Sequence, residues 1–157
     1  MKVVSNSTPI ISLAAIKQTD LFRQLFGTIV IPQAVYHELK SQKAPGYQEV
    51  DSPYFQVNAI QGTQYIGFLL HDLDRGEAEA IVLAQELQAD SLIIDERMGY
   101  KIAKRQGIHV IGTLTVLLMA KQQGIIPLVK PLLDDMIQRG RWYSQSVYNS
   151  FLKKIGE

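Results

Sequence analysis

The fold of this chain is decided near its start by the stretch Val3-Val4-Ser5-Asn6-Ser7-Thr8-Pro9-Ile10-Ile11. Paired valines favour an extended strand, and a hydroxyl residue followed by proline is typical of a helix start. The stretch therefore predicts a strand, a polar corner and then a helix that continues to about Ile16. A strand that leads at once into a helix is the repeating unit of a parallel sheet with helices on its faces.

The same alternation recurs along most of the 157 residues. Further strands are predicted at 28–31, 54–59, 92–94 and 108–111. Further helices are predicted at 21–26, from 32 onward, and at 78–87, 98–106, 113–122, 129–138 and 144–155. The stretch 42–72 has no clear period apart from its one strand, and the rest of it stays unassigned. The pattern predicts an α/β fold with a mainly parallel sheet, in a single domain over 1–157 on which the helices from about 129 pack.

Composition and charge narrow the classes of function. The hydrophobic share of 46% and the charged share of 20% are typical of a soluble globular protein. The N-terminus lacks the regions of a signal peptide, and no run approaches the roughly 20 apolar residues of a membrane span, so we expect a cytoplasmic protein without membrane contact. Since there is no cysteine, any metal ion must be bound through oxygen or histidine. The net charge of +1 gives no overall attraction to nucleic acid, which would need a local basic patch.

Polar residues stand at the ends of apolar runs where a parallel sheet would gather them: Asn6, Glu38, Glu77 and Asp95. Asn6 and Asp95 directly follow predicted strands, and ligand sites of open parallel sheets lie beyond the carboxyl ends of the strands. Two carboxylates about 4 Å apart repel by about 4 kcal/mol at an effective dielectric constant near 20, so a set of three needs compensation. Mg²⁺ or Mn²⁺ suits oxygen ligands at such an edge, although protonation or an arginine would also compensate the charge.

Each of these residues also has an ordinary structural interpretation. Asp95 would cap the helix that follows it, and Glu77 would stabilise a helix N-terminus. Glu38 would be a solvated helix residue, and Asn6 would order a turn after the strand. The neighbouring Glu96 is expected to be exposed, with a role as a spare ligand as the alternative. It is the occurrence of all four positions together that favours a shared site.

A basic run follows the last of these acids. Its members, spaced to lie along one helix face, are Arg97, Lys101, Lys104 and Arg105. They are predicted to bind a nucleic-acid backbone in a salt-sensitive way that is independent of sequence. The alternative is a solvated helix face.

A second basic and aromatic motif, Arg141-Trp142-Tyr143, joins the last two predicted helices. It is expected to pack against the body of the protein, with a base-stacking surface or a dimer contact as the alternatives.

Other nucleotide-binding folds are disfavoured because their motifs are missing. A dinucleotide-binding domain needs Gly-x-Gly-x-x-Gly after its first strand, where this chain has Ser5-Asn6-Ser7-Thr8-Pro9. The chain also lacks a Gly-x-x-x-x-Gly-Lys phosphate-binding loop. A phospho-acceptor domain built on Asp95 would want paired acids after the first strand, and none are present there.

Several segments, taken in order, resemble the successive motifs of PIN domains: Val3 to Ile11, Ile31 to Glu38, Leu73 to Ala80 and Leu92 to Arg97. The resemblance extends through Ile111-Gly112-Thr113-Leu114 and the C-terminal helices, so it covers most of the chain. It is similar in particular to a prokaryotic branch related to VapC-type toxins. The resemblance implies a three-layer α/β/α sandwich and a ribonuclease that depends on Mg²⁺ or Mn²⁺. It also implies RNA as substrate, a homodimer, and a small antitoxin protein as candidate partner of a toxin.

The site residues of the family carry over position by position. Asn6 takes the place of the first family aspartate, and Thr8 matches the hydroxyl residue two places later. Glu38, Glu77 and Asp95 match the second, third and fourth acids. In the catalytic interpretation Glu77 and Asp95 hold the ion, and Asn6 and Thr8 complete the shell. Glu38 orients or deprotonates a water that cleaves RNA to a 5′-phosphate and a 3′-hydroxyl.

The amide at the first position opens an alternative. Because Asn6 adds no negative charge, the chain would then be a non-catalytic or weakly active PIN-like module that binds RNA or protein.

Overall fold

The structure, a computed structural model, describes residues 1–157. At its centre lies a sheet of five parallel strands. The strands are β1 (Val3–Ser5), β2 (Ile29–Pro32), β3 (Phe55–Asn58), β4 (Ser91–Ile93) and β5 (Val110–Ile111). They lie in the order β3-β2-β1-β4-β5, and every neighbouring pair is parallel. The predicted α/β fold with a parallel sheet is therefore confirmed.

Nine α-helices connect and cover the strands. They are α1 (Ser7–Ala15), α2 (Asp20–Phe26), α3 (Gln33–Gln42), α4 (Thr63–Leu69), α5 (Arg75–Glu86), α6 (Arg97–Arg105), α7 (Thr113–Gln122), α8 (Lys130–Gln138) and α9 (Gln145–Lys154). A 3₁₀ turn at Glu49–Asp51 precedes β3. No helix has both the length and the apolar character that crossing a membrane requires.

Buried apolar residues lie on both faces of the sheet, because alternate residues of a strand point to opposite sides. Val3 and Ile93 belong to a cluster of 23 buried residues that includes residues of α1, α2, α7, α8 and α9. Val4 and Leu92 belong to a cluster of 15 buried residues, built with α4, α5 and α6. We call these sides the α1 face and the α5 face. Helices therefore cover the sheet on both sides, as the predicted sandwich required.

Two helices begin earlier than the sequence predicted. α1 begins at Ser7. The extended residue before the helix is Asn6 (φ −79°, ψ 174°) rather than Thr8, and the Asn6 side chain makes no capping hydrogen bond. α5 begins at Arg75, because Asp74 accepts a 2.8 Å hydrogen bond from the backbone N–H of Glu77. An aspartate in this position satisfies an otherwise free N–H of the helix start. Glu77 consequently lies in the first turn of α5.

The stretch 42–72 contains the 3₁₀ turn, β3 and α4, of which the sequence predicted only the strand. α4 is seven residues long and buries only Ile66 and Leu69, whereas Phe68 is 75% exposed. A short helix with so few buried positions leaves too weak a periodic pattern to be assigned from sequence.

Candidate active site at the carboxyl end of the sheet

Asn6 lies directly after β1 and is almost fully buried, with 2% of its surface exposed. Its Nδ2 donates a 3.1 Å hydrogen bond to Oε2 of Glu96. The hydroxyl of Thr8 donates a 2.6 Å hydrogen bond to Oε1 of the same carboxylate. Oδ1 of Asn6, in contrast, is buried without any hydrogen-bond partner. Leaving a buried oxygen unpaired costs about 1–3 kcal/mol, so this atom is a free acceptor for a ligand.

Glu38 approaches the same place from α3. A methyl group built on Gly76, in the first turn of α5, would lie 3.2 Å from Oε2 of Glu38 and 3.4 Å from Oδ1 of Asn6. These two oxygens therefore face the same small space. α5 lies close to that space because Gly76 has no side chain. The pKa of Glu38 is raised, mainly by burial and further by neighbouring carboxylates, against a hydrogen bond from Ser7 that lowers it.

Glu77 joins this group from the start of α5, with 8% of its surface exposed. Its pKa is raised to about 8, first by burial, then by its hydrogen bond with Asp74, and then by the charges of Asp74, Glu96 and Glu38. Without a cation, the folded protein therefore keeps a proton on Glu77 at neutral pH. A positive charge at this position would replace the proton, because it would offset both the cost of burying the ionised carboxylate and the repulsion from its neighbours. We call Asn6, Glu38, Glu77 and Glu96 the Asn6 cluster.

Asp95, which was predicted to be the fourth acid of the site, has a different set of partners. Its Oδ1 accepts a 2.8 Å hydrogen bond from the N–H of Thr113, and its Oδ2 accepts one of 2.6 Å from the Thr113 hydroxyl. Oδ2 also accepts a 3.2 Å bond from Nη1 of Arg141, which reaches Oγ of Ser12 at 3.4 Å. Asp95 thus caps α7 and is neutralised by an arginine. It does not cap α6, the helix that follows it, which begins without a side-chain cap.

The two-residue period of a strand explains why the neighbours Asp95 and Glu96 have different partners. Ile93 packs on the α1 face and Ile94 on the α5 face. Continuing the alternation directs Asp95 toward α1 and α7, and Glu96 toward α5. The expectation that Glu96 is exposed was wrong, because it is half-buried and accepts the two hydrogen bonds described above. The same alternation, counted from the apolar residues of the strand, is the signal that would have identified it.

The donors of the Asn6 cluster suit a hard cation that is bound only partly by protein. No three His, Cys, Asp or Glu side chains are arranged to hold a metal ion by themselves. Mg²⁺, however, is commonly bound through one or two carboxylates and completes its octahedron with water and substrate phosphate. The free Oδ1 of Asn6, the adjacent Oε2 of Glu38 and the buried Glu77 fit this kind of site.

Two cavities lie at this end of the sheet. One, of about 680 Å³, is lined by Glu38, Asp74, Arg75 and Gly76 among others. The other, of about 730 Å³, is lined by Asp95, Arg97, Tyr100, Lys101, Lys104 and Arg105. We call it the α6 groove.

The basic residues predicted from the sequence all line the α6 groove and are all exposed. None of them takes part in an ion pair of the structure. Their positive charge is therefore available to an anionic ligand such as a phosphate backbone.

Comparison with known proteins agrees with this architecture. A family model described as a PIN domain (DUF3368) matches residues 2–157, which include every strand and helix of the structure. No curated protein matches the chain. The family match confirms the resemblance that the sequence motifs indicated.

Proposed function

This chain belongs to the PIN-domain family, whose members are generally nucleases, and from that membership we propose that it is a ribonuclease that hydrolyses RNA phosphodiesters with Mg²⁺ or Mn²⁺. The observation that supports the proposal best is the buried, unpartnered Oδ1 of Asn6 among carboxylates. Strongly perturbed acids concentrate at functional sites, and Glu77, with a pKa of about 8, is one of them. A cation site accounts for both features at once.

The residues of the Asn6 cluster have different roles in this site. Asn6 Oδ1 and Glu77 would hold the cation beside Glu38, and Glu96, which accepts from the Asn6 amide and at 2.6 Å from the Thr8 hydroxyl, would position the Asn6 side chain. When bound, the cation supplies charge neutralisation for the phosphate and a lower pKa for water. Asp95, which the resemblance made a ligand, acts in this proposal as a positioning residue, since both of its oxygens already have partners.

Glu38 is the base in the proposed reaction. It takes a proton from water while the water oxygen attacks phosphorus and the bond to the 3′ oxygen breaks. The 3′ oxygen gains a proton from solvent, so the products are a 3′-hydroxyl and a 5′-phosphate. The raised pKa of Glu38 suits this role, because a carboxylate of higher pKa is a stronger base.

The α6 groove would hold the RNA backbone beside the cluster. Its exposed arginines and lysines contact phosphates without reading bases, so binding should weaken steeply with salt. A test is the binding of labelled RNA between 50 and about 200 mM salt, with Lys101→Ala as variant. The variant should bind more weakly and show a smaller salt dependence.

The alternative function is a PIN-like module that binds RNA or protein with little or no cleavage. One specific observation favours it. Asn6 donates its amide to Glu96 and contributes no charge, and the chain has no preformed group of three metal-ligating side chains. A weakly held cation would then limit or abolish turnover.

Cleavage of end-labelled single-stranded RNA tests the two functions. Wild type, Glu77→Gln and Asn6→Asp are compared in Mg²⁺, in Mn²⁺ and in EDTA. The proposal expects cleavage by wild type in either metal, none in EDTA, and a large loss in Glu77→Gln. If wild type is inert in both metals while Asn6→Asp cleaves, the binding module is the better description. If Glu77→Gln keeps full activity, the site assignment is wrong.

The resemblance to the toxin branch also supports a proposal for the cellular role. The proposal extends to a cytoplasmic, homodimeric toxin that a small antitoxin protein restrains. Expression of wild type should then arrest growth while Glu77→Gln, at equal protein level, should not. Equal growth of the two strains would remove the toxin role and leave the nuclease activity to the cleavage assay.

A further inference from the structure

Trp142 is the single tryptophan of the chain, and 78% of its surface is exposed. Tryptophan is usually well buried, because burial of its ring removes about 150–250 Å² of surface from water. The expectation that the Arg141-Trp142-Tyr143 motif packs against the body of the protein is therefore wrong for its central residue. A large exposed ring of this kind needs another explanation.

The residues on both sides of Trp142 are fixed. Arg141 bonds to Asp95 at 3.2 Å and to Ser12 at 3.4 Å, and its guanidinium lies 4.8 Å from the centre of the Tyr143 ring. The hydroxyl of Tyr143 is buried. Ser144 then begins α9, accepting a 3.1 Å hydrogen bond from the N–H of Val147. Trp142 thus projects from an anchored segment, so its exposure is a property of the fold.

The residue that holds this segment also lines the α6 groove. Asp95 accepts from Arg141, and it lines the groove together with Tyr100 and the four basic residues of α6. Trp142 follows Arg141 in the chain, so the backbone that carries it is tied to the Asp95 end of this positively charged groove. A charged groove next to an exposed aromatic ring is the arrangement by which proteins bind single-stranded nucleic acid, with phosphates in the groove and a base on the ring.

We infer that Trp142 is a stacking platform for an unpaired base of single-stranded RNA whose backbone lies in the α6 groove. The inference rests on the proposed function for the identity of the ligand. Trp142 holds the strand and contributes to the choice of substrate, since bases of a duplex are stacked on each other and are not free to reach the ring. The other occupant that such a ring would suit is a second copy of this chain, and the test separates the two.

Because Trp142 is the only tryptophan, its fluorescence reports the contact directly. The protein is titrated in EDTA, so that no cleavage occurs, with an eight-nucleotide single-stranded RNA and with a hairpin whose bases are paired. Binding of labelled RNA is measured in parallel by anisotropy for wild type, Trp142→Phe and Trp142→Ala. Phe68→Ala is the matched control, because Phe68 is 75% exposed and does not line the groove.

Single-stranded RNA should quench the fluorescence, with a midpoint equal to that from anisotropy, and the hairpin should quench much less. Trp142→Ala should weaken binding roughly 5- to 150-fold, the range expected for one stacked base. Trp142→Phe should keep most of the affinity, and Phe68→Ala should bind like wild type.

Three outcomes would overturn the inference: no quenching by bound RNA, equal affinities of wild type and Trp142→Ala, or a wild-type emission change with protein concentration that accompanies a dimerisation which Trp142→Ala abolishes. Cleavage is measured separately. Binding with quenching but without cleavage would remove the nuclease function and keep the inference. Cleavage that Trp142→Ala leaves unchanged would keep the nuclease function and remove the inference.

Discussion

Asp95 and Glu96 are neighbours in the chain, yet they belong to two regions with opposite electrostatics. On the α1 face, the carboxylate of Asp95 has the Thr113 N–H, the Thr113 hydroxyl and the Arg141 guanidinium as partners. On the α5 face, Glu96 accepts only from Asn6 and Thr8, both neutral. The pKa values of Glu77 and Glu38 are raised instead, first by burial and further by neighbouring carboxylates that include Glu96.

Under the proposed function, this difference separates structural acids from functional ones. An acid whose oxygens are all paired with donors and an arginine stabilises the fold and has no further need of a ligand. A group of acids that is buried without a counter-charge lowers the stability of the fold, and a cation or a proton must compensate it. We therefore expect mutations in the two regions to change different measurements.

The largest difference should lie in catalysis. Glu38→Gln should lower the rate of Mg²⁺-dependent RNA cleavage by about 10²- to 10⁴-fold, the usual contribution of a general base. Asp95→Asn should lower it by less than about tenfold, because Asp95 touches neither the water nor the phosphate in the proposed reaction. Both rates are measured on protein whose circular dichroism matches wild type. A loss in Asp95→Asn as large as that in Glu38→Gln would return Asp95 to the metal shell.

The next difference concerns stability, where the Asp95 variant should show the larger loss. Asp95→Ala should lower the free energy of unfolding by about 2–3 kcal/mol, because it leaves Arg141 unpaired and the start of α7 uncapped. Glu77→Gln, measured in EDTA, should be neutral or stabilising, because folding at pH 7 otherwise requires Glu77 to take up a proton, and a glutamine has no such requirement. Urea denaturation at pH 7 measures both. Equal destabilisation by the two variants would contradict the distinction between the regions.

The identity of residue 6 should change the affinity for a cation. Asn6→Asp adds a carboxylate beside Glu96 and Glu38, so Mg²⁺ should bind roughly tenfold more tightly, a change of about 1.4 kcal/mol. The same variant without metal should be less stable than wild type, because it replaces the amide that donates to Glu96. Calorimetric titration with Mg²⁺ and denaturation in EDTA test the two halves. An unchanged Mg²⁺ affinity would mean that residue 6 does not contact the ion.

Whether an element can be predicted from the sequence depends on whether its interactions are local or join residues far apart in the chain. The helix at 113–122 was predicted with the bounds that the structure has, because its residues favour a helix and Gly124, with positive φ, lies just past its end. α4 was not assigned, since its only support comes from Ile66 and Leu69 packing on the α5 face. Local patterns predict elements, and tertiary packing decides the weak ones.

The site follows the same rule. Asn6 was predicted at the sheet edge because it follows an obvious strand. The separation of Asp95 from Glu96 was not, because it depends on how far the alternation of β4 continues and on Arg141, 46 residues away in the chain. No pattern in the sequence near Asp95 indicates that this arginine is its partner.

The most direct measure of the Asn6 cluster is the pH dependence of stability in EDTA. Glu77 has a pKa of about 8 in the folded protein and an ordinary value of 4.5 when unfolded. Between these values the folded state binds the proton that the unfolded state has lost, so stability should fall as pH rises from about 5 to 8 and level off above. One group contributes at most about 1.4 kcal/mol per pH unit. Glu77→Gln should remove this part of the slope, as should saturating Mg²⁺, which favours the ionised carboxylate. If wild type and Glu77→Gln lose stability in parallel over this range, Glu77 is not the protonated acid of the site, and the contrast with the neutralised Asp95 disappears.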